Sequence, residues 1–478
     1  MAAIRRIGVK LLPKNDCSEI RFVRDKKERQ MKVSSLIFGL YFFAEAHDDE
    51  YHPSIRKKGE KIDVTWPLEE EKEDFWRTHG KDRLKKMQQK REIKTKAKNA
   101  ILFIGDGMGI PSITAGRILA GGENHVSSME SLDFTGLVKT YNVDYQTPDS
   151  AGTATAYLTG IKGNYGTVGI TAAGRRGDCS SQLGNEVQSV LEKAKAAGKS
   201  VGFVTTTYVN HASPSGVFGK SAERTWYSDK RMANLKNCKD LALQLFEHDD
   251  IDVIMGGGKE WFVDRLDQRD LIQDWKNEAN VTFVENESQL KAAMEDLTLE
   301  KRLIGIFANR HMEYEYVREQ DAPEEPQLRL MAEAAIKKLS LNPNGFYLFV
   351  EGGKIDLAHH DTMPVKNGSL YDWKEFDTMV GNSIQMVDLN ETIVMVSADH
   401  SHTFSIGAYG CSWRKYFRSW NSTRTRWREY YDLRIREWTR IQHSRERKQS
   451  DRRNKLQPTN AKRVQTRVGY LRWKEAFF

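Results

Sequence analysis

The stretch NAILFIGDGMG (residues 99–109) joins a short apolar run to a glycine-rich turn that carries one acid, Asp106. The run NAILFI has the length and the unbroken hydrophobicity of a strand that is buried on both faces. In α/β folds, ligands bind just beyond the carboxyl ends of the strands. A carboxylate held between two glycines at that point therefore predicts a functional edge of a sheet.

The same arrangement recurs along the chain. Further apolar runs of strand length lie at residues 201–207, 251–255, 346–350 and 392–397. Stretches with helical character lie between them, at residues 186–197, 239–246, 328–341 and 373–387. This alternation predicts an α/β fold with a mostly parallel central sheet and helices on both faces. The polar clusters that follow the strands should then meet at one edge of the sheet.

Side chains that can bind metal ions follow these strands. They are Asp106, Ser150, Ser213, Glu351, Asp356, His360, Asp399, His400 and His402. Carboxylates and imidazoles suit Zn²⁺, whereas carboxylates with a hydroxyl suit Mg²⁺. Singly, such an acid is more often a helix cap or a turn residue, and a histidine is more often a surface or core group. Five clusters with this chemistry together favour a metal centre.

Ser150 lies in TPDSAGTATAY (residues 147–157), where a helix is predicted from about residue 151 to 160. A serine at a helix start is commonly only an N-cap. The alternative is a nucleophile beside the anion site that a helix N-terminus provides. Two metal ions nearby favour the second interpretation, because such a pair can grip both oxygens of an in-line phosphoryl displacement. Arg224, in ERTWY (residues 223–227), is a candidate to clamp the remaining phosphate oxygens.

The net charge of +8 comes from the C-terminal part of the chain. Residues 411–478 hold 20 Lys and Arg against 6 Asp and Glu, whereas the first 410 residues have a net charge of −6. A polyanionic partner is therefore conceivable only for this tail, and no nucleic acid is expected for the main domain.

Residues 31–46 have the features of a secretory signal: a basic residue, a short apolar run and an Ala-x-Ala site. Residues 1–30 would then be an upstream extension, expected to be disordered. The alternative for residues 31–46 is a buried strand of a cytosolic protein. Asn-x-Ser/Thr triplets fit an exported glycoprotein but are common by chance; they begin at Asn280, Asn286, Asn367, Asn390 and Asn421. Cys179 and Cys238 either form a disulfide in an exported protein or are two buried thiols.

At these motifs the chain resembles the alkaline phosphatases, animal ones in particular. The resemblance runs from about residue 68 to 410 and is carried by NAILFIGDGMG, by DSA around Ser150 and by TTTYVNHASP (residues 205–214). It continues through RTWYSD (residues 224–229), EGGKIDLAHH (residues 351–360) and ADHSH (residues 398–402). The resemblance implies an exported, homodimeric hydrolase of small phosphate monoesters. It further implies a phosphoserine intermediate, two zinc ions and one magnesium ion.

The resemblance also implies a role for each matching residue. Ser150 would be the nucleophile and Arg224 the phosphate-binding residue. Asp106, Asp399 and His400 would hold the zinc ion that activates the serine, and Asp106 would also reach the magnesium ion.

The remaining roles complete the implied centre. Ser213 and Glu351 would be the other magnesium ligands, with His211 near them and near the substrate. Asp356 and His360 would hold the second zinc ion. Cys179 and Cys238 would be the family's first disulfide pair.

The resemblance stops after about residue 410. The rest of the family's core, its crown domain and the histidine that completes the second zinc site are expected to be missing, so this site should lack one ligand. Residues 411–478 are rich in Arg and Trp. A change of reading frame explains them best, ahead of a polyanion-binding tail or a divergent domain. No C-terminal hydrophobic stretch supports a lipid anchor, so a secreted or cell-surface location would depend on the signal alone.

Two functions follow as expectations for the α/β domain at residues 47–410. The first is a metal-dependent phosphate monoester hydrolase with activity reduced by the incomplete second zinc site. The second is a catalytically impaired homologue that acts only as a binding or dimerising protein. A third, weaker expectation keeps the metals but changes the substrate to a phosphodiester or a sulfate ester. Ser150 in an Asp-Ser-Ala context argues against that change.

Overall fold

A parallel β-sheet forms the centre of the computed structural model. The structure describes residues 96–232, 238–361 and 368–406, together with Thr78, Lys81, Asp82 and Lys85, and seven strands lie in this part. They are β1 (Asn99–Gly105), β2 (Ser200–Tyr208), β3 (Val253–Gly257), β4 (Val281–Val284), β5 (Arg302–Ile306), β6 (Phe346–Gly352) and β7 (Thr392–Ala398). All pair in parallel, in the order β4-β5-β3-β2-β6-β1-β7.

Helices connect the strands. Before β3 these are α1 (Ile110–Gly121), α2 (Ser150–Thr159), α3 (Val190–Ala196), α4 (Ala212–Phe218) and α5 (Leu241–Glu247). Those that follow are α6 (Glu260–Val263), α7 (Leu271–Asn277), α8 (Glu287–Ala293), α9 (Glu315–Asp321), α10 (Leu328–Leu339), α11 (Lys354–His360) and α12 (Ser369–Gln385). Single 3₁₀ turns lie at Met129–Ser131, Cys179–Ser181 and Asp229–Met232.

Successive strand residues face opposite sides of the sheet and so build two cores. Leu102 and Phe203 pack on one side with residues of α2, α4 and α5. Phe103 and Val204 pack on the other side with residues of α10, α11 and α12. Both faces of the sheet are therefore covered, which is why its strands are apolar throughout rather than alternating. The predicted fold class, a mostly parallel sheet between helices, is confirmed.

The five predicted strands correspond to β1, β2, β3, β6 and β7. The two that sequence reasoning missed, β4 and β5, lie together at one edge of the sheet, where β4 is only partly buried. β5 begins with Arg302 and contains a glycine, so its apolar signal is weak. The run Val-Thr-Phe-Val of β4 has the β-branched and aromatic composition of a strand, and it was the signal available there.

A disulfide joins Cys179 to Cys238. Both residues pack in a small apolar cluster with Ile170, Trp226 and Met232, apart from the two main cores. Of the two alternatives that the sequence left open, the structure has the bridge.

Several predicted segments lie outside the described residues. These are the extension at 1–30, the signal at 31–46 and the tail at 411–478. All the strands and helices named above belong to one of the two compact units of the chain. Thr78, Lys81, Asp82 and Lys85 belong to the other and are exposed. Among the described residues, no helix combines the length and the hydrophobicity that crossing a membrane requires.

An acidic cavity of about 20 Å³, with room for about one water molecule, is lined in part by Thr206 and Gly352 near the carboxyl ends of β2 and β6. Glu313, Glu315, Asp372 and Glu375 line it together with Arg318. Asp372 is 8% exposed, and its Oδ2 has no hydrogen-bond partner among the described residues. Burial raises the pKa of Asp372 to about 8, with Lys354 opposing the shift. The folded chain therefore holds a proton on Asp372 that the unfolded chain releases near pH 4.

We expect this proton to make stability fall with rising pH. A carboxyl whose pKa is raised on folding contributes stability below its unfolded pKa, which is lost as pH rises through about 8. Asp372→Asn should match the wild type near pH 4 and exceed it at pH 9 by on the order of a few kcal/mol. Urea unfolding at several pH values measures this difference, with the exposed Asp321→Asn as the control. Parallel pH curves for wild type and Asp372→Asn would contradict the prediction.

Candidate active site

The register of the sheet brings the predicted clusters together at its carboxyl edge. Gly105 of β1 pairs with Ala398 of β7, so the residues that follow them, Asp106 and Asp399, emerge side by side. Glu351 of β6 pairs with both Ile104 and Thr205. Acids that are far apart in sequence thus meet because the three strands lie next to one another.

Ser150 is the first residue of α2, as the sequence predicted to within one residue. The N-cap is Asp149, whose carboxylate accepts a hydrogen bond from the backbone N–H of Gly152. The interpretation of Ser150 as a cap is therefore wrong. Ser150 is 4% exposed. Its hydroxyl does not cap the helix and lies beside the positive end of the helix dipole.

Asp106, Asp399 and His400 form what we term the first acid–histidine group. His400 Nε2 lies 3.4 Å from Asp106 Oδ1 and 3.2 Å from Asp399 Oδ2. The Oγ of Ser150 lies 3.2 Å from Asp106 Oδ1 and 3.2 Å from His400 Nε2. The predicted nucleophile therefore lies against the three residues that were predicted to bind the activating zinc ion.

The backbone and one threonine fix this group. Asp399 Oδ1 accepts from the N–H of Gly107 at 3.0 Å, and Asp399 Oδ2 accepts from Thr153 Oγ1 at 3.1 Å. Gly107 has φ +65°, and a Cβ there would lie 2.9 Å from an Asp356 oxygen. Only glycine allows this backbone conformation and this close approach. The glycine that follows Asp106 is therefore required by the packing of the site.

The group is electrostatically unfavourable without a cation. Burial raises the pKa of Asp106 well above its ordinary value, and the charges of Asp399, Asp356 and Glu351 raise it further. Burial lowers the pKa of His400, but Asp399 and Asp356 outweigh it and the net shift is upward. Both shifts reflect an excess of buried negative charge, which a divalent cation would neutralise.

Asp356, His360 and His402 form the second acid–histidine group. Asp356 and His360 are four residues apart on α11 and so lie on the same face, as predicted. His360 Nε2 is 3.4 Å from Asp356 Oδ2, and His402 Nε2 is 3.5 Å from Asp356 Oδ1. His402 was a candidate from its position after a strand, but the resemblance assigned it no role.

Glu351 and Ser213 lie beside the first group. Thr205 Oγ1 and Thr207 Oγ1 donate to Glu351 Oε2 at 2.5 and 3.1 Å. Burial raises the pKa of Glu351 to about 7, and Ser213 lies close enough to influence it. Glu351 Oε1 and Ser213 Oγ are buried without a hydrogen-bond partner in the part of the chain that the structure describes. In the sequence, the two threonines at alternate positions of β2 were the available signal that a buried acid would be hydrogen-bonded there.

Asp149 links Arg224 to the nucleophile helix. Arg224 Nη1 donates to Asp149 Oδ2 at 2.9 Å, while Asp149 Oδ1 accepts from Asn142 and from the N–H of Gly166, each at 2.9 Å. Burial lowers the pKa of Arg224, but the charge of Asp149 outweighs it and the net pKa is raised. Sequence reasoning missed this role of Asp149, although an acid directly before Ser150 was visible.

His211 lies in an aromatic cluster near Arg224. It precedes α4, and its ring packs against Tyr208, Tyr227 and His311. Burial lowers the pKa of His211 well below its ordinary value, helped by the charges of His311 and Arg224. The imidazole is therefore neutral, and Arg224 lies close enough for its charge to disfavour protonation of the ring.

The residues present fit metal ions. In each acid–histidine group the ligand atoms, one from each residue, lie within 4.8 Å of one another. Asp356 Oδ1, Glu351 Oε1 and Ser213 Oγ are buried atoms that lack a hydrogen-bond partner among the described residues. Such oxygens are costly to bury unless a partner satisfies them, and a cation would do so.

Comparison with known proteins identifies the family. The sequence model of the family described as alkaline phosphatase matches residues 97–471, a range that runs past residue 410 into the predicted tail. The tissue-nonspecific alkaline phosphatase of Rattus norvegicus is 42% identical over 375 residues, covering 72% of this chain and 70% of that protein. The alkaline phosphatase of Gadus morhua is 41% identical over 375 residues, covering 72% and 77%.

Solved structures show the same fold. The alkaline phosphatase of Thermus thermophilus superposes with a TM-score of 0.55 at 26% identity, and the match covers 66% of this chain but only 62% of that enzyme. An alkaline phosphatase from the Antarctic bacterium TAB5 gives a TM-score of 0.53 at 22% identity, covering 64% and 80%. The predicted family and, at the level of the family, the predicted enzyme class of phosphomonoesterase are confirmed: the chain belongs to the alkaline phosphatase family.

Proposed function

We propose that this chain hydrolyses phosphate monoesters with Ser150 as the nucleophile. The observation that carries the proposal is the position of Ser150 Oγ, 3.2 Å from both Asp106 Oδ1 and His400 Nε2 at the N-terminus of α2. The positive end of the helix dipole favours an anion at this point. A serine so placed can attack a phosphorus atom that the same helix end helps to bind.

The first acid–histidine group, Asp106, Asp399 and His400, would hold one zinc ion, and Asp356 with His360 would hold another. Asp106, Ser213 and Glu351 would hold magnesium. When bound, these ions supply Lewis acidity at the attacking and leaving oxygens and lower the pKa of a bound water. Their assignment as zinc and magnesium rests on the donor types and on the family resemblance.

The chain's own residues perform the positioning. Without a cation, the Ser150 hydroxyl donates a hydrogen bond to Asp106 Oδ1 at 3.2 Å. Asp149 orients Arg224, whose guanidinium can pair with two oxygens of the phosphate. Ser150 Oγ would form a bond to phosphorus as the bond to the leaving oxygen breaks, and the leaving alcohol would take up the proton that the serine loses. Water would then cleave the phosphoserine, which releases phosphate and restores the hydroxyl.

Export and dimer formation remain proposals for this chain. The disulfide between Cys179 and Cys238 supports export, because such bridges persist in oxidising compartments. Size measurement in solution would test the expected homodimer.

Substrate class is tested with three chromogenic esters at alkaline pH in the presence of Zn²⁺ and Mg²⁺. We expect p-nitrophenyl phosphate to be hydrolysed much faster than bis-p-nitrophenyl phosphate or p-nitrophenyl sulfate. Faster hydrolysis of the diester or the sulfate would contradict the proposal and assign that ester class as the substrate. No turnover of any ester would leave the impaired homologue, which only binds, as the better description.

Loss of Arg224 should weaken binding of the phosphate group. Arg224→Ala removes a bidentate, charge-assisted pair, so the KM for p-nitrophenyl phosphate and the Ki of inorganic phosphate should rise by ~10–100-fold. Arg224→Lys keeps the charge but not the fork and should lie between the two. Arg176→Ala is the control, because Arg176 is half exposed and pairs with Glu223 next in sequence to Arg224. An Arg224→Lys variant with unchanged KM and Ki would refute the bidentate role.

A further inference from the structure

His402 is a buried imidazole that the proposed function does not yet use. It lies four residues beyond the end of β7, and its side chain is 9% exposed. Its Nε2 lies 3.5 Å from Asp356 Oδ1, whereas His360 Nε2 lies 3.4 Å from Asp356 Oδ2, and the two rings are in edge-on contact at 4.6 Å between centroids. Asp356 is therefore flanked by two imidazole nitrogens, each belonging to a different segment of the chain.

The distances within this group are those of a coordination sphere. Zinc bonds of 2.0–2.2 Å in a tetrahedron place neighbouring ligand atoms about 3.3–3.6 Å apart. The His360 and His402 nitrogens lie 3.4 and 3.5 Å from the Asp356 oxygens. In the first group, His400 Nε2 lies 3.4 and 3.2 Å from the oxygens of Asp106 and Asp399. In both groups the ligand atoms, one from each residue, lie within 4.8 Å of one another.

The ring of His402 is oriented in the same way as that of His400. His402 Nδ1 lies 3.1 Å from Thr403 Oγ1, and His400 Nδ1 lies 2.9 Å from the Ser401 carbonyl oxygen. In both residues the distal nitrogen engages a neighbouring oxygen while Nε2 faces the carboxylates. Metal-bound histidines commonly show this arrangement, because the distal contact fixes the tautomer and the ring plane.

Neighbouring histidines do not compete for this position. The ring of His359 packs against His402 at 5.1 Å between centroids, but its Nε2 is engaged by Ser112 Oγ at 2.7 Å. The 3.5 Å contact of His402 with Asp356 is also longer than a hydrogen bond. Asp356 Oδ1 is buried and has no hydrogen-bond partner among the residues described. A shared cation explains an imidazole nitrogen and a carboxylate oxygen that face each other without bonding.

We propose that His402 is a direct ligand of the second metal ion, together with Asp356 and His360. The proposal rests on the proposed function only in taking the second group to be a metal site. It gives this site three protein ligands and leaves a fourth position open, which is the composition of a catalytic zinc site. The expectation of a two-ligand site would then be replaced by a complete one built from residues before position 410.

The test is the zinc affinity of His402→Gln in the full-length protein. Glutamine can still hydrogen-bond to Asp356 but is a poor zinc ligand, so it separates a direct ligand from an outer partner of Asp356. His360→Gln is the benchmark for losing one ligand. His248→Gln is the control, because His248 pairs with Asp250 away from the site. Zinc content per chain, chelator competition and the visible spectrum of the Co²⁺-loaded protein are measured.

We expect His402→Gln to lose about one metal ion per chain and to weaken the second site by more than ~100-fold, like His360→Gln. Its Co²⁺ spectrum should change in the same direction. Outer partners of metal ligands cost ~10–100-fold in affinity. A loss within or below that range, with an unchanged Co²⁺ spectrum, overturns the proposal.

Ser150-dependent turnover of p-nitrophenyl phosphate, measured on the same preparations, keeps the two proposals separate. If wild type hydrolyses the ester and His402→Gln retains its second metal ion, the ligand assignment fails and the proposed function stands. If His402→Gln loses the ion but wild type shows no Ser150-dependent hydrolysis, the assignment stands and the proposed function fails.

Discussion

Ser150→Ala is expected to abolish hydrolysis of p-nitrophenyl phosphate, with kcat/KM falling by at least ~10³-fold. The substitution removes the only atom of this residue that can bond to phosphorus, and neither Asp106 nor His400 can replace it. The fold should persist, because Asp149 and not Ser150 caps α2. Rapid acid quenching after addition of labelled substrate should trap phosphate on the wild-type chain and none on the variant.

Ser189→Ala is the matched control, since Ser189 also stands at a helix start. Its hydroxyl caps α3 in a reciprocal capping box with Glu192. The control should lose about 1 kcal/mol of stability and keep its turnover, whereas Ser150→Ala should do the reverse. Residual turnover of Ser150→Ala that approaches that of the control would remove Ser150 as the nucleophile.

Asp106→Asn is expected to have the second-largest effect. Dialysis of the wild type against EDTA should remove activity, and Zn²⁺ with Mg²⁺ should restore it. The variant should stay more than ~100-fold below wild type after the same treatment, because Asp106 is the acid shared by the zinc and magnesium positions. Activity and bound metal are measured together. Asp274→Asn, which loses only a surface pair with Arg269, should recover fully.

Although Asp106→Asn should lower activity, it should raise the free energy of unfolding of the metal-free protein. The pKa of Asp106 is raised by burial and by Asp399, so the folded chain binds a proton at this carboxyl more tightly than the unfolded chain does. Stability without metal is therefore lost as pH rises, and Asp106→Asn should be more stable than wild type when both are metal-free at pH 8. Zinc should then stabilise the wild type by mass action and the variant much less. A variant that is less stable without metal and equally stabilised by zinc would contradict this account.

The sequence revealed most of the chemistry because its signals are local. The run NAILFI, the glycines around Asp106 and the small residues after Ser150 each determine a short segment, so β1, its turn and α2 could be predicted within one or two residues. The same holds for Asp356 and His360, whose spacing of four residues places them together on any helix. β4 and β5 could not be predicted as securely, because a short edge strand and one that begins with Arg302 carry little apolar signal.

By itself, then, the sequence determined five of the seven strands in the described residues and which side chains stand at their carboxyl ends, since hydrophobic period and turn chemistry act over a few residues. Tertiary structure decided which of these ends meet. The placement of β1 between β6 and β7 puts Asp106 beside Asp399, and it also carries His402 to Asp356. Strand order and register depend on how helices pack across both faces of the sheet, and no local pattern encodes that long-range packing.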